Sequence, residues 1–133
     1  MIGLDTNVLV RYFTEDEPKQ ARLARALIET RLTRDAPGHV NVVTLAEVVW
    51  VLQRLYAAAR DEIARVVDSL LAAPNVVIER KAAVRRALQA YAAAPAAGFR
   101  DCLIAQLNAE TGCETTLTFG KRAAKIAGFD LLK

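Results

Sequence analysis

The sequence predicts a three-layer α/β domain, with a mostly parallel central sheet of four to five strands flanked by helices. Three observations carry that prediction. Short apolar runs of strand length alternate with stretches whose apolar residues recur at helical spacing. Capping residues, prolines or glycines mark most boundaries between them. At 133 residues and 53% hydrophobic content, the chain has the size of one domain, 1–133, and enough apolar surface for a sizeable core. No internal repeat, linker or low-complexity stretch interrupts the alternation.

Residues 1–4 are apolar and short enough for a first buried strand. Asp5, Thr6 and Asn7 then bring polar side chains to a strand-to-helix corner, and Asp5 is a preferred cap for the short helix that runs to Phe13. Glu15, Asp16, Glu17 and Pro18 open a second helix, with Leu23, Ala24, Leu27, Ile28 and Leu32 on one stripe. Residues 33–38 break the pattern and 39–43 read as a second strand. Thr44 reads as the cap of the next helix, with Glu47 three places on in a capping-box arrangement. Residues 45–52 are apolar nearly all round, so this helix is expected deep in the domain, with Glu47 taken in alongside it. Ile63, Val66, Val67, Leu70 and Leu71 give the following helix one apolar face behind Asp61 and Glu62, and Pro74-Asn75 stops it. Val76, Val77 and Ile78 form a third strand. Val84, Ala87, Leu88 and Tyr91 mark another helix, closed by Pro95 and Gly98. A helix at 101–112 ends on Gly112, followed by a fourth strand at 115–119, a short helix at 121–127 and a terminal strand at 129–132.

Composition narrows the function. No run of about 18 apolar residues and no signal pattern is present, which speaks against a membrane span or secretion and for the cytoplasm. Cys102 and Cys113 lack metal-ligand or redox spacing and read as small core residues without a disulfide. A net charge of +3, from 18 Lys and Arg against 15 Asp and Glu, permits a nucleic-acid partner without demanding one. Lone His39 reads as structural, and Trp50 and Tyr56 as core or dimer contacts. The basic groups Arg80-Lys81 with Arg85-Arg86, and Lys121-Arg122 with Lys125, read as solvated helix faces or as phosphate contacts.

Most acids, including Glu15, Asp16, Glu17, Asp61, Glu62 and Glu79, fall in charged surface neighbourhoods. Asp5, Glu47 and Asp101 stand among apolar residues instead. A buried carboxylate must be hydrogen-bonded, paired or metal-bound. Each has a local explanation: Asp5 as a cap, Glu47 as half of a capping box, Asp101 as a first-turn acid favoured by its helix dipole. Converging on one cleft, they would repel unless a cation sat between them, and a hard divalent ion that keeps several waters suits such a set.

Leu4-Asp5-Thr6-Asn7-Val8-Leu9, Thr44-Leu45-Ala46-Glu47-Val48, Phe99-Arg100-Asp101-Cys102-Leu103-Ile104-Ala105 and Leu117-Thr118-Phe119-Gly120-Lys121 resemble, in order and spacing, the successive motifs of PIN-domain ribonucleases of the VapC toxin type. The resemblance covers essentially the whole chain. It implies a PIN-like fold with strand one central in the sheet, and a toxin of a type II toxin-antitoxin pair. It further implies a hydrolase that cleaves RNA phosphodiester bonds with magnesium, manganese being able to substitute, and a homodimer inhibited by a cognate antitoxin. The acid cluster carries over onto Asp5, Glu47 and Asp101. Asp5 and Asp101 would hold the metal, and Glu47 would join them or position and deprotonate the attacking water. Thr6, Asn7 and Thr118 are candidates for orienting these groups, and Arg100, Lys121 and Arg122 for contacting RNA.

Two departures bear on activity. The family usually has a fourth acid directly after the fourth strand, where this chain has Gly120, and often another three residues before the third acid, where it has Gly98. Three carboxylates suffice for one magnesium ion, which needs only one or two, but a second ion is not expected. The alternative reading is a PIN-like binding module weakened by loss of those acids. A receiver domain or phosphoryl-transferring hydrolase fits less well, because Asp5-Thr6-Asn7 lacks a paired acid and no P-loop is present.

Overall fold

The computed structural model describes residues 1–133 and divides into two compact units, Met1–Glu79 and Arg80–Lys133. The first contains β1 (Ile2–Gly3), α1 (Thr6–Phe13), α2 (Pro18–Ala26), β2 (Gly38–Val40), α3 (Val42–Leu55), α4 (Arg60–Ala72) and β3 (Val76–Ile78). The second contains α5 (Lys81–Ala93), α6 (Phe99–Glu110), β4 (Thr116–Thr118), a short 3-10 turn at Ala123–Lys125 and β5 (Phe129–Leu131). Every strand pairing is parallel, as the α/β class requires when helices supply the crossovers. No helix is long and apolar enough to cross a membrane.

In the first unit the strand order is β1-β2-β3, with Ile2 opposite Gly38 and Gly38 opposite Val76. Here β2, and not β1, lies in the middle, because each strand pairs with the next one along the chain. The expected sheet of four to five strands is distributed over two ladders, the second formed by β4 and β5. Gly38 permits a close approach: a Cβ there would lie 2.8 Å from both Leu4 Cδ1 and Leu32 Cδ1, so a larger residue would make these two buried side chains shift. Leu9, Val40, Leu45, Val48, Ile63 and Val67 are fully buried around these strands. Removal of such a leucine from water contributes about 1.5–3 kcal/mol.

The carboxyl ends of the strands lead directly into helix starts, which explains several shifted boundaries. The second strand stops at Val40 instead of 43, because Asn41 takes the cap of α3 and accepts a hydrogen bond from Thr44 N at 2.8 Å. Thr44 is therefore inside the helix, and the expected Thr44–Glu47 capping box does not form. Glu79, read as a surface acid, is half-buried and accepts from Val42 N at 2.9 Å, satisfying another free amide of that helix start. Nor is α3 buried all round. Val43, Glu47, Trp50 and Arg54 form an exposed stripe, with Val43 75% and Trp50 52% accessible, so Trp50 is not a core residue. Glu47 stands in that stripe because its position follows Val43 by one turn.

Within the second unit, α5 and α6 pack as a hairpin, with Tyr91 and Phe99 edge to face at 5.7 Å. Gly112 ends α6 at φ +98°, a conformation that favours glycine. Cys102 is buried, but Cys113 lies exposed in the turn beyond Gly112, which removes it from the core. No disulfide joins them.

Candidate active site

Asp5 follows β1 at its carboxyl end and occupies the N-cap of α1, with extended backbone (φ −87°, ψ 165°). Its Oδ1 accepts from Thr6 N at 2.8 Å, so the capping reading holds. Capping engages one carboxylate oxygen and leaves the other uncommitted. Thr6 is buried, and its hydroxyl donates to Glu47 Oε1 in a short contact across from α1 to α3. One residue thus fixes both acids, through its amide on one side and its hydroxyl on the other.

Asp5, Thr6, Asn7, Val10 and Arg11 from the α1 side, with Glu47, Val51, Leu55 and Tyr56 from α3, line a cavity of about 290 Å³. Glu47, Val51 and Leu55 follow at intervals of four and so form one wall. Asp5 and Glu47 are both exposed, against the expectation that they are buried, because each opens toward this cavity and not into the core. Neither forms an ion pair, unlike Glu15, Asp16, Asp61 and Glu110. Two carboxylates with free oxygens on one cavity are donors of the kind a magnesium ion takes while keeping most of its waters.

The other residues singled out in the sequence belong to the second unit. Asp101 is half-buried in the first turn of α6, where the helix dipole favours a carboxylate, and Arg100 beside it is exposed. A Cβ at Gly98 would lie 3.9 Å from Asp101 Oδ2, so a longer acid there would be its direct neighbour. Thr118 ends β4 and its Oγ1 accepts from Gly120 N at 2.9 Å. A Cβ at Gly120 would meet that hydroxyl at 3.4 Å, an ordinary contact, and the backbone there is not left-handed. Lys121 and Arg122 are exposed. Of the basic clusters, Arg80 and Arg86 both bind Glu110, whose carboxyl the Arg80 hydrogen bond holds below the usual range. Within neither unit do three His, Cys, Asp or Glu side chains gather closely enough to hold a metal ion by themselves.

His39 is half-buried in β2 with Nδ1 unpartnered, and does not line the acid cavity. Arg11 and Tyr56 do line it, although the sequence reading assigned neither to the site. The signal available for Arg11 was its spacing of four from Asn7 on a helix capped by Asp5, which puts both on one face. For Tyr56 no sequence signal existed, since its position depends on how α3 lies against α1.

A model of the PIN domain family matches residues 2–129. No curated protein matches the chain.

Proposed function

The chain belongs to the PIN-domain family, a nuclease-type fold whose members are in general metal-dependent hydrolases, and from that premise we propose that it is the toxin of a type II toxin-antitoxin pair of the VapC kind. In this reading it is a cytoplasmic endoribonuclease that hydrolyses RNA phosphodiester bonds with magnesium, acts as a homodimer and is silenced by a cognate antitoxin. The observation that carries the reading is the meeting of Asp5 and Glu47 on one cavity, held by Thr6 at the carboxyl end of the first strand.

Asp5 and Glu47 would hold the divalent ion through the oxygens not committed to Thr6. The sequence motif names Asp101 as a further candidate ligand. When bound, such an ion acts as a Lewis acid toward a phosphoryl oxygen and toward water. Where the ion is held by the other acids, Glu47 would instead use that oxygen to accept the proton of the attacking water, and the Thr6 hydroxyl keeps its carboxylate in one rotamer for either task. Asn7, exposed on the cavity wall, offers an amide to a substrate oxygen. Arg100, Lys121 and Arg122 supply positive charge for the RNA backbone, and Thr118 orients the neighbouring groups.

Asp5→Asn keeps the cap and removes a charged donor, so it is expected to abolish divalent-dependent RNA cleavage while leaving the circular dichroism and melting profile intact. Retained cleavage would overturn the assignment. A second reading, a PIN-like RNA- or antitoxin-binding module, is favoured by the glycines at 98 and 120, where acids would fit but are lacking. RNA binding by the wild-type chain with no cleavage at any magnesium or manganese concentration would establish that reading instead.

A further inference from the structure

We infer that Arg11, held by Tyr56 at the far end of the acid cavity, is a phosphate-binding residue that grips the RNA strand beyond the scissile bond. This inference rests on the ribonuclease reading of the same cavity.

Among the residues lining the cavity, Arg11 is the sole cation, and Asp5 and Glu47 are its acids. From Thr6 to Arg11 the axial rise along α1 is about 7.5 Å, at 1.5 Å per residue. In a stacked strand phosphates advance by about 3.4 Å each along the axis and lie farther apart along the winding backbone, so Arg11 stands about one to two nucleotides from the acids. A groove with carboxylates at one end and a guanidinium at the other suits a polyanion whose reacting phosphate is met by a cation-loaded acid pair and whose next phosphates need a cation of the protein's own.

Arg11 is oriented for that task. Its Nε donates to Gln20 Oε1 at 2.8 Å and its Nη1 donates to the Tyr56 hydroxyl at 3.0 Å. Tyr56 in turn donates to Asp16 Oδ2 at 2.8 Å, and Asp16 Oδ1 lies 3.8 Å from Arg11 Nη1. A guanidinium carries five N–H donors, so two such bonds leave three for phosphate oxygens, Nη2 among them. The Arg11 side chain is 28% exposed, held on its stem yet open to the cavity. Asp16, 57% exposed, competes as an anion for the same guanidinium. The Tyr56 hydrogen bond holds the Asp16 carboxyl below its usual range and so favours its ionised form. Arg11 is thereby placed by partners that a phosphate can displace or supplement.

The test uses the full chain carrying Asp5→Asn, so that labelled single-stranded RNA is bound but not cut, with affinity measured between about 50 and 200 mM salt. Adding Arg11→Gln is expected to weaken binding for every sequence tried and to reduce the slope of log affinity against log salt by about 0.7, the share of one phosphate contact on a single strand. Arg11→Lys, which keeps the charge, should retain most of that slope. In the cleaving enzyme, Arg11→Gln should raise KM with kcat little changed. An unchanged salt slope in a folded Arg11→Gln protein overturns the inference and leaves the ribonuclease reading standing. No RNA binding by the parent at any salt overturns both. If Arg11→Gln does not fold, Asp16→Asn carries the test: tighter RNA binding supports the inference, and unchanged or weaker binding overturns it.

Discussion

Thr6 is where the local and the long-range parts of the site meet. Its amide satisfies Asp5 and its hydroxyl satisfies Glu47, two acids 42 positions apart in the chain. Thr6→Val keeps the shape and removes the donor. Because Glu47 is exposed and water can replace the lost bond, the stability cost is expected to be only about 0.5–1.5 kcal/mol, read by urea denaturation. The kinetic cost should be larger and should fall on kcat more than on KM, since Glu47 loses its fixed rotamer. Thr6→Ser should restore most of the rate. A Thr6→Val enzyme with wild-type kcat would show that Glu47 needs no positioning.

At the level of the element, helix starts decide most of what happens here. α1 is capped by Asp5 and α3 by Asn41, whereas α6 begins at Gly98 with no side-chain cap. Gly98 has ordinary cap geometry (φ −82°, ψ 145°) and its nearest prospective contact is Asp101 at 3.9 Å. Gly98→Asn is therefore expected to stabilise the chain by a few tenths of a kcal/mol. Gly98→Asp gains the same cap but sets a second carboxylate beside Asp101, so it should gain less at neutral pH. Adding manganese should then raise the melting temperature of the Asp variant more than that of the Asn variant. Thermal melts with and without the ion check this, and equal shifts would mean that residue 98 does not face a metal-binding acid.

For the whole molecule, charge and pH set the working range. Asp16 in the first unit is held below the usual carboxylate range chiefly by its hydrogen bond from Tyr56, and Glu110 in the second chiefly by that from Arg80. A folded-state value below the unfolded one contributes stability above the unfolded value, near pH 4, and loses it as pH falls through the lower folded value. Tyr12 is shifted the other way, raised mainly by burial and then by its hydrogen bond to Glu29. Its contribution is present below about pH 10 and fades as pH rises further. Stability is thus expected to be level between these limits and to fall on both sides, with Asp16→Asn flattening the acid limb. Denaturant melts across the pH range measure it, and an unaltered acid limb in that variant would remove Asp16 from the account.

The sequence by itself determined the α/β class, the order of elements and the corner at Asp5, because these follow from periodicity and from capping chemistry over a few neighbouring residues. Val76–Ile78 as a strand and Gly112 as a helix end were legible for that reason. The motifs also named Asp5, Glu47 and Asp101 as candidate acids. Only the tertiary structure decided that Glu47 faces outward to a cavity beside Asp5, that Thr6 joins them and that Arg11 and Tyr56 close the far end. Those facts depend on how α3 lies against α1. No local pattern encodes that, because which stripe of a helix apolar nearly all round is left open is set by the partner it packs on.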